Sequence, residues 1–447
     1  MKSASTNAAE DQTSSPEKTS FARLGTALFL GTALEWYDYF VYGVAAALVL
    51  NKLFFPSYNP TVGTLFAFGT FASAWLMRPL GAYIFGHLGD RYGRRTVLFI
   101  TLIGMGLATI ATGLLPTYDQ IGFWAPLLLV FFRMIQGLSA GGEFSGVATL
   151  SIEHAPAHLR GRYTSVAQMG IPAALVAANL VSLIAYYMPE DALESYGWRI
   201  PFLVSALIFP IALYIRLKLE ESPVFEEKKA NKTLVKNPAK EVIRNHWRTM
   251  LALGFANGGL GAAFYAYSTY AVNFGSAEVG LSRTTVLLAV IVAGLVHLCC
   301  VGVVGWHSDR LGPKRIFLSA LTLLAIAPIP VFWIIHTGSA VAIVAAMIIG
   351  LGIGHGVAYS VTALIFTTVF PPELRYTGSA LTYQVSAALL SGPVPIFMTA
   401  LVGAGGGSFW YAAIFLTGIC TAGLLGAVLI DPAVNKSHAV AAARGEV

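Results

Sequence analysis

Gly86-His87-Leu88-Gly89-Asp90-Arg91-Tyr92-Gly93-Arg94-Arg95 returns further along the chain as Gly305-Trp306-His307-Ser308-Asp309-Arg310-Leu311-Gly312-Pro313-Lys314-Arg315. The paired glycines and aspartates stand 219 positions apart (Gly86 to Gly305, Asp90 to Asp309), close to half of the 447 residues. Each copy is a basic, glycine-bearing turn between long apolar runs. The chain therefore reads as a duplicated membrane protein, the plan on which many transporters are built. Pro313 is an extra residue that lengthens the basic end of the second turn, so a weaker or purely structural role is expected there.

Composition agrees. Hydrophobic residues make up 56% of the chain and charged ones 11%, against roughly 25% charged in a soluble domain. A mean hydropathy of +0.68 over this length is too apolar for one globular core. The apolar runs are about 20 residues long, enough to cross a bilayer as helices. Spans are expected near 23–50, 62–85, 96–116, 121–149, 164–188, 199–218, 249–274, 284–304, 315–336, 339–366, 377–402 and 409–430. The expected fold class is an all-α membrane protein with twelve transmembrane helices in two pseudo-symmetric six-helix bundles, 23–218 and 249–430. A cytoplasmic linker, 219–248, joins them, and tails 1–22 and 431–447 flank them. No cleavable signal peptide is read in the polar residues 1–20. Cys299, Cys300 and Cys420 lie in apolar runs and read as small buried residues. No cysteine or histidine spacing suits a metal, and no phosphate-binding loop occurs, so neither metal nor cofactor is expected.

Orientation follows from the basic residues. Only Lys52, Arg199 and Arg283 of the 28 Lys and Arg fall on outward segments, and Arg78 and Arg133 fall inside spans. The remainder lies on one side, which places both termini in the cytoplasm of a multi-pass protein of the plasma (inner) membrane. The net charge of +6 then needs no nucleic-acid partner. A monomer surrounded by the lipid bilayer is expected.

Both repeated turns fall on the inward side. Asp90 and Asp309 can accept hydrogen bonds at a helix N-terminus or pair with nearby arginines. Gly86, Asp90, Arg91, Gly93, Arg94, Asp309 and Arg310 are thus candidates for a cytoplasmic gate that latches the two bundles. The plainer reading, a topology signal, stands beside it.

The turns resemble the signature loop of the major facilitator superfamily. More specific strings are similar to its metabolite:proton symporter family. They are Leu34-Glu35-Trp36-Tyr37-Asp38-Tyr39-Phe40-Val41-Tyr42-Gly43, Arg78-Pro79-Leu80-Gly81, Arg133-Met134-Ile135-Gln136-Gly137, Gly141-Gly142-Glu143, Trp198-Arg199-Ile200-Pro201-Phe202 and Glu221-Ser222-Pro223-Val224-Phe225. The resemblance runs from about residue 22 to 430 and implies the major facilitator fold. It also implies proton-coupled import of a small organic acid, such as shikimate or another carboxylate, by alternating access. Uptake of a zwitterionic osmolyte (betaine or proline) and proton-driven efflux remain as alternatives.

Charges inside spans are costly and mark function. Counting at about 1.5 Å per residue puts Asp38 and Arg133 near the bilayer midplane, and Glu35 shares a helix face with Asp38. Asp38 is the expected proton carrier, with Glu35 as second acid and Arg133 as movable counter-charge; a static ion pair is the plainer reading. Arg133 is also a candidate for binding an anionic substrate through its planar fork. Arg78 and Glu143, nearer the inner surface, are placed with the gate, Glu143 paired with a basic group there.

Substrate-binding candidates are Gln136, Gln168 and Gln384 (the last two at matching depths in repeated strings), Tyr265 and Tyr270, and His297 and His355, two histidines well inside spans. Each has a plainer reading as helix-packing residue. An enzyme would need a nucleophile, metal cluster or catalytic His/Asp set at one membrane face, and none is read here.

Overall fold

Backbone N–H and C=O groups find no water inside a bilayer, so each apolar run closes its own hydrogen bonds as a helix. The computed structural model describes residues 21–92, 94–141, 143–217, 238–371 and 374–430. Among the described residues, twelve long helical passages follow one another and no strand occurs. They are α1 (Phe21–Leu48), α2 (Pro60–Tyr92), α3 (Arg94–Leu114), α4 (Trp124–Ala140 continued by Glu143–Glu153), α5 (Arg160–Tyr186) and α6 (Ile200–Leu217). The second set is α7 (residues 247–278), α8 (Arg283–Leu311), α9 (Pro313–Ile326 and Pro328–His336), α10 (Ala340–Val369), α11 (Arg375–Ala404) and α12 (Phe409–Leu429).

By length and apolarity alone α4, α5, α8, α10, α11 and α12 qualify as spans, and the bent α9 makes a seventh. The other passages are read as crossings from their place in the bundles. In α1 the carboxylates Glu35 and Asp38 interrupt the apolar run, and α3 and α6 offer only the shorter stretches Phe99–Leu114 and Gly197–Ile211. The stretch expected as linker is partly helical, over Pro238–Asn245, and α7 begins at Trp247. The rest of that stretch lies outside the described residues.

In the first bundle α1 packs on α5, α2 on α4 and α3 on α6. In the second α7 packs on α11 and α12, and α8 on α10. Between bundles the main contacts are α5 with α8 and α2 with α11. These are the same two positions counted from the start of each half, so the interface carries the symmetry of the duplication. Outer faces leave Leu107, Ile184, Leu207, Trp333 and Leu429 exposed, a surface suited to lipid.

Two local devices shape the bundles. Gly312 ends α8 at φ +88, a left-handed conformation that favours glycine, and Pro313 follows as the first residue of α9. At Gly137 a Cβ would lie 1.9 Å from the Ala74 carbonyl oxygen, so α4 lies flush on α2 only because it has no side chain there. Of the cysteines, Cys420 is buried and Cys300 half-buried, but Cys299 is exposed on α8. The expectation of three buried thiols fails at that position because it faces away from the neighbouring helices.

Candidate functional site

A partly open cavity lies between the bundles, with about 390 Å³ of empty space counting the solvent at its mouth. The first bundle supplies Trp36 of α1, Trp75 of α2 and Ile171 of α5. The second supplies Asn257, Phe264 and Tyr265 of α7, His355 and Tyr359 of α10, and Tyr383 and Ser391 of α11, among others. Its wall is aromatic, and no formally charged side chain lines it. Among the described residues four π-helical turns occur, Ala266–Tyr270, Phe274–Glu278, Ile348–His355 and Ala387–Ser391, all in the second bundle. Such turns re-aim side chains and recur at functional sites. Here one ends at His355, one begins just after Tyr265, and one carries Ala387 and Ser391 to the cavity. Trp75 Nε1 is buried and meets no hydrogen-bond partner among the described residues, and the buried Tyr359 hydroxyl has only the Gln168 side chain beside it. Buried polar atoms are nearly always satisfied, so these two suit a polar ligand.

Arg78 sits directly behind that wall. Its guanidinium carbon lies 3.8 Å from the centre of the Trp75 ring, 4.3 Å from Tyr39 and 5.2 Å from Trp36. Nε donates to the Tyr39 hydroxyl at 3.2 Å, and Nη2 has no partner. Cation–π contacts of this kind contribute about 2 kcal/mol when desolvated, so the aromatic faces help hold Arg78 in place. Glu35 lies within electrostatic reach of Arg78, Tyr359 and Tyr383.

Asp38 turns into the first bundle. Thr109 of α3 donates to Oδ2 at 2.8 Å and Ser205 of α6 donates to Oδ1 at 2.5 Å. Gln136 Nε2 donates to Thr109 Oγ1, and Gln136 Oε1 accepts from Arg133 Nη1 at 2.7 Å. Asp38 and Arg133 are thus linked through two side chains, Thr109 and Gln136, instead of meeting as an ion pair. Arg133 also lies 3.9 Å over the Tyr42 ring, and its Nε and Nη2 are unpartnered. Glu35 and Asp38, three residues apart, serve different surroundings: one interacts electrostatically with Arg78, the other joins the polar chain.

Other expected residues separate. Tyr265 and His355 line the cavity; Arg133, Gln136, Gln168, Tyr270, Gln384 and His297 are not among its wall. Tyr270 stacks on Phe274 and lies tilted against Phe332. Gln168 is buried in α5 beside the Tyr359 hydroxyl, which lines the cavity. Gln384 reaches across the bundles and donates from Nε2 to the Gly141 carbonyl at 2.8 Å. His297 meets His355, a pairing that reading each histidine separately did not anticipate. Glu143 accepts a long hydrogen bond from Thr101 at 3.5 Å. Missed altogether were Trp36, Tyr39, Trp75, Tyr359, Tyr383, Thr109 and Ser205; aromatic and hydroxyl residues in a span carry no signal that separates a cavity from a helix contact.

The bundles touch on both sides of the cavity. On the signature-loop face, Asp309 accepts from the backbone N–H groups of Gly161 and Arg162 at 2.9 and 3.2 Å, and Phe144 stacks on Tyr383 with centroids 3.8 Å apart. The inserted Pro313 leaves Asp309 at this joint, and Arg310 beside it is exposed. Gly86 falls within α2, while Gly93 and the side chains of Asp90, Arg91 and Arg94 lie outside the described residues. On the far face, Glu190 of the first bundle meets Arg283 of the second at 3.4 Å and Lys52 at 2.6 Å. Among the described residues no three of His, Cys, Asp and Glu cluster as metal ligands.

The sequence pattern of the Major Facilitator Superfamily matches residues 28–395. The shikimate transporter of Escherichia coli (strain K12) is 35% identical over 412 residues, covering 92% of this chain and 94% of that protein. A putative proline/betaine transporter of Staphylococcus haemolyticus (strain JCSC1435) is 32% identical over 405 residues, covering 89% and 84%. The crystal structure of a D-xylose-proton symporter superposes with a TM-score of 0.72 at 18% identity, covering 92% of this chain and 97% of the other, a likeness of fold.

Proposed function

We propose that this chain, a transporter that belongs to the Major Facilitator Superfamily, imports a small organic acid such as shikimate or another carboxylate together with a proton. The observation that carries the reading is the aromatic cavity between the bundles, with Trp75 Nε1 unpartnered and the Tyr359 hydroxyl in its wall and Arg78 stacked behind it. Ring faces cover the apolar side of a compact cyclic acid, while donors converge on its oxygens. The guanidinium offsets the carboxylate charge across the Trp75 ring.

Asp38 carries the proton in this account. As a carboxylate it accepts from Thr109 and Ser205. Once protonated it becomes a donor at one oxygen, and the Thr109 hydroxyl can turn to the Met105 carbonyl, 3.1 Å away. That change releases the chain through Gln136 to Arg133, freeing the counter-charge to shift while the two bundles, 23–218 and 249–430, rock about the cavity. Both termini lie in the cytoplasm, the membrane is the inner membrane, and a monomer is the working unit.

An aromatic wall with no formal charge also suits a zwitterion whose ammonium meets ring faces, so betaine and proline form the second reading. The test is uptake of labelled shikimate, a panel of carboxylates, betaine and proline into proteoliposomes, with and without an inward proton gradient. Gradient-driven accumulation of an acid supports the first reading and of betaine or proline the second. Uptake indifferent to the gradient removes proton coupling.

A further inference from the structure

His297 of α8 and His355 of α10 meet nitrogen to nitrogen, His355 Nδ1 standing 3.2 Å from His297 Nε2. Both rings are buried, and His355 lines the central cavity. The approach depends on Gly356: a Cβ there would lie 2.9 Å from His297 Cδ2 and 3.0 Å from the Cys300 Cβ. His355 is further held by Tyr359, stacked at 5.2 Å, and by Phe264 at 4.8 Å. The ring is packed against two aromatic rings and engaged at Nδ1, which leaves Nε2 as the nitrogen for a ligand.

Two neutral imidazoles joined by one hydrogen bond must choose which ring donates. His297 Nδ1, the outer end of the pair, is buried and has no partner. Were His355 the donor, the neutral His297 ring would carry its hydrogen on that Nδ1, leaving a buried N–H without an acceptor. Orphaned N–H groups are rarer than under-satisfied acceptors in folded proteins. With His297 as donor, Nδ1 is a bare lone pair and His355 must carry its own hydrogen on Nε2. The cavity then receives an N–H.

We propose that His297 is a positioning residue: it touches no substrate, but by donating to His355 Nδ1 it fixes His355 as an Nε2–H donor to an oxygen of the transported acid. The inference rests on the organic-acid reading above, since an ionised carboxylate only accepts hydrogen bonds. In the opposite tautomer His355 would offer such a substrate a lone pair and repel it. The pair thus adds a specificity device to the second bundle, opposite Trp75 and Arg78 of the first.

The full chain, labelled with 15N-histidine and held in lipid nanodiscs, tests this, because 15N shifts distinguish N–H from bare ring nitrogens. His355 resonances are assigned by their loss in His355→Gln. The expected result is Nε2–H at His355 in the parent chain and in His297→Gln, whose amide N–H replaces the donor, and a mixture of tautomers in His297→Leu. In uptake, His297→Leu should raise KM for the accepted acid by the inverse of the Nε2–H fraction that the 15N shifts report, about twofold for an even mixture, with maximal rate unchanged. His297→Gln should restore KM. Hydrogen on Nδ1 of His355 in the parent chain, or an unchanged tautomer in His297→Leu, overturns the proposal. So does a changed tautomer with unchanged KM. If the parent chain moves no acid, the transport reading fails, while the tautomer result still decides what His297 does to His355.

Discussion

Asp309 on α8 caps the first turn of α5 in the other bundle, with Oδ1 2.9 Å from the Gly161 nitrogen and Oδ2 3.2 Å from that of Arg162. The opening N–H groups of a helix have no partner of their own, and a carboxylate there also meets the positive end of the helix dipole. Gly161 permits the approach, since a Cβ would lie 3.0 Å from Asp309 Oδ1. The loop that announces the fold in the sequence therefore ends as a joint between its two halves.

Asp309→Ala should loosen that joint. Ser165 is buried beside Gly305 in the same contact, so a cysteine placed there, in a chain lacking Cys299, Cys300 and Cys420, reports opening of this face. Removing two charge-assisted hydrogen bonds is expected to raise its labelling by an impermeant maleimide about tenfold. An unchanged rate speaks against a latch.

On the far face, Glu190 joins Lys52 and Arg283. The hydrogen bond from Lys52, then the charges of Lys52 and Arg283, hold the Glu190 carboxyl below its usual range. A lowered value means the contact is fully present above the ordinary carboxylate pKa of about 4.3 and is lost only as pH falls through the lowered value. Closure of this face, read from labelling of a cysteine at the buried Asn273, should be flat from about pH 7 to 5 and weaken below about 4. Glu190→Gln should raise labelling at pH 7 by about fivefold at most, because all three side chains are partly exposed to screening water. A steep change between pH 7 and 5 would place the controlling group elsewhere.

Gly137 and Gly146 lie on the same helix and predict opposite outcomes. A Cβ at Gly137 meets the Ala74 backbone at 1.9 Å, whereas one at Gly146 meets nothing within 4 Å. Gly137→Ala should cost about 2 kcal/mol or more and lower the melting temperature, and Gly146→Ala should not. Equal melting temperatures would contradict the close seating of α4 on α2.

What could be read from the chain alone divides along physical lines. The repeated loops and the one-sided basic residues gave the two-bundle plan, because turn chemistry and charge are local properties. Asp38, Arg133 and Arg78 stood out because charge in an apolar run is rare. Their partners did not. Gln136, on the same helix as Arg133, was named only as a substrate candidate; Thr109 and Ser205 come from α3 and α6, and Trp36 or Trp75 looks the same in sequence whether it faces a cavity, a neighbour or lipid. Arg78 was expected at a gate from its nearness to the signature loop; only the fold shows three aromatic rings around it. Likewise His297 and His355 are 58 residues apart and become a pair only through α8 and α10.

The central claim is that Asp38 couples a proton to substrate movement, and the direct measurement compares two assays in Asp38→Asn proteoliposomes. Asparagine keeps an acceptor for Thr109 or Ser205 but holds no titratable proton. The account predicts that accumulation driven by an inward proton gradient disappears while exchange of internal for external substrate persists in part. Undiminished gradient-driven accumulation would contradict it, and loss of both activities together would assign Asp38 a structural role instead.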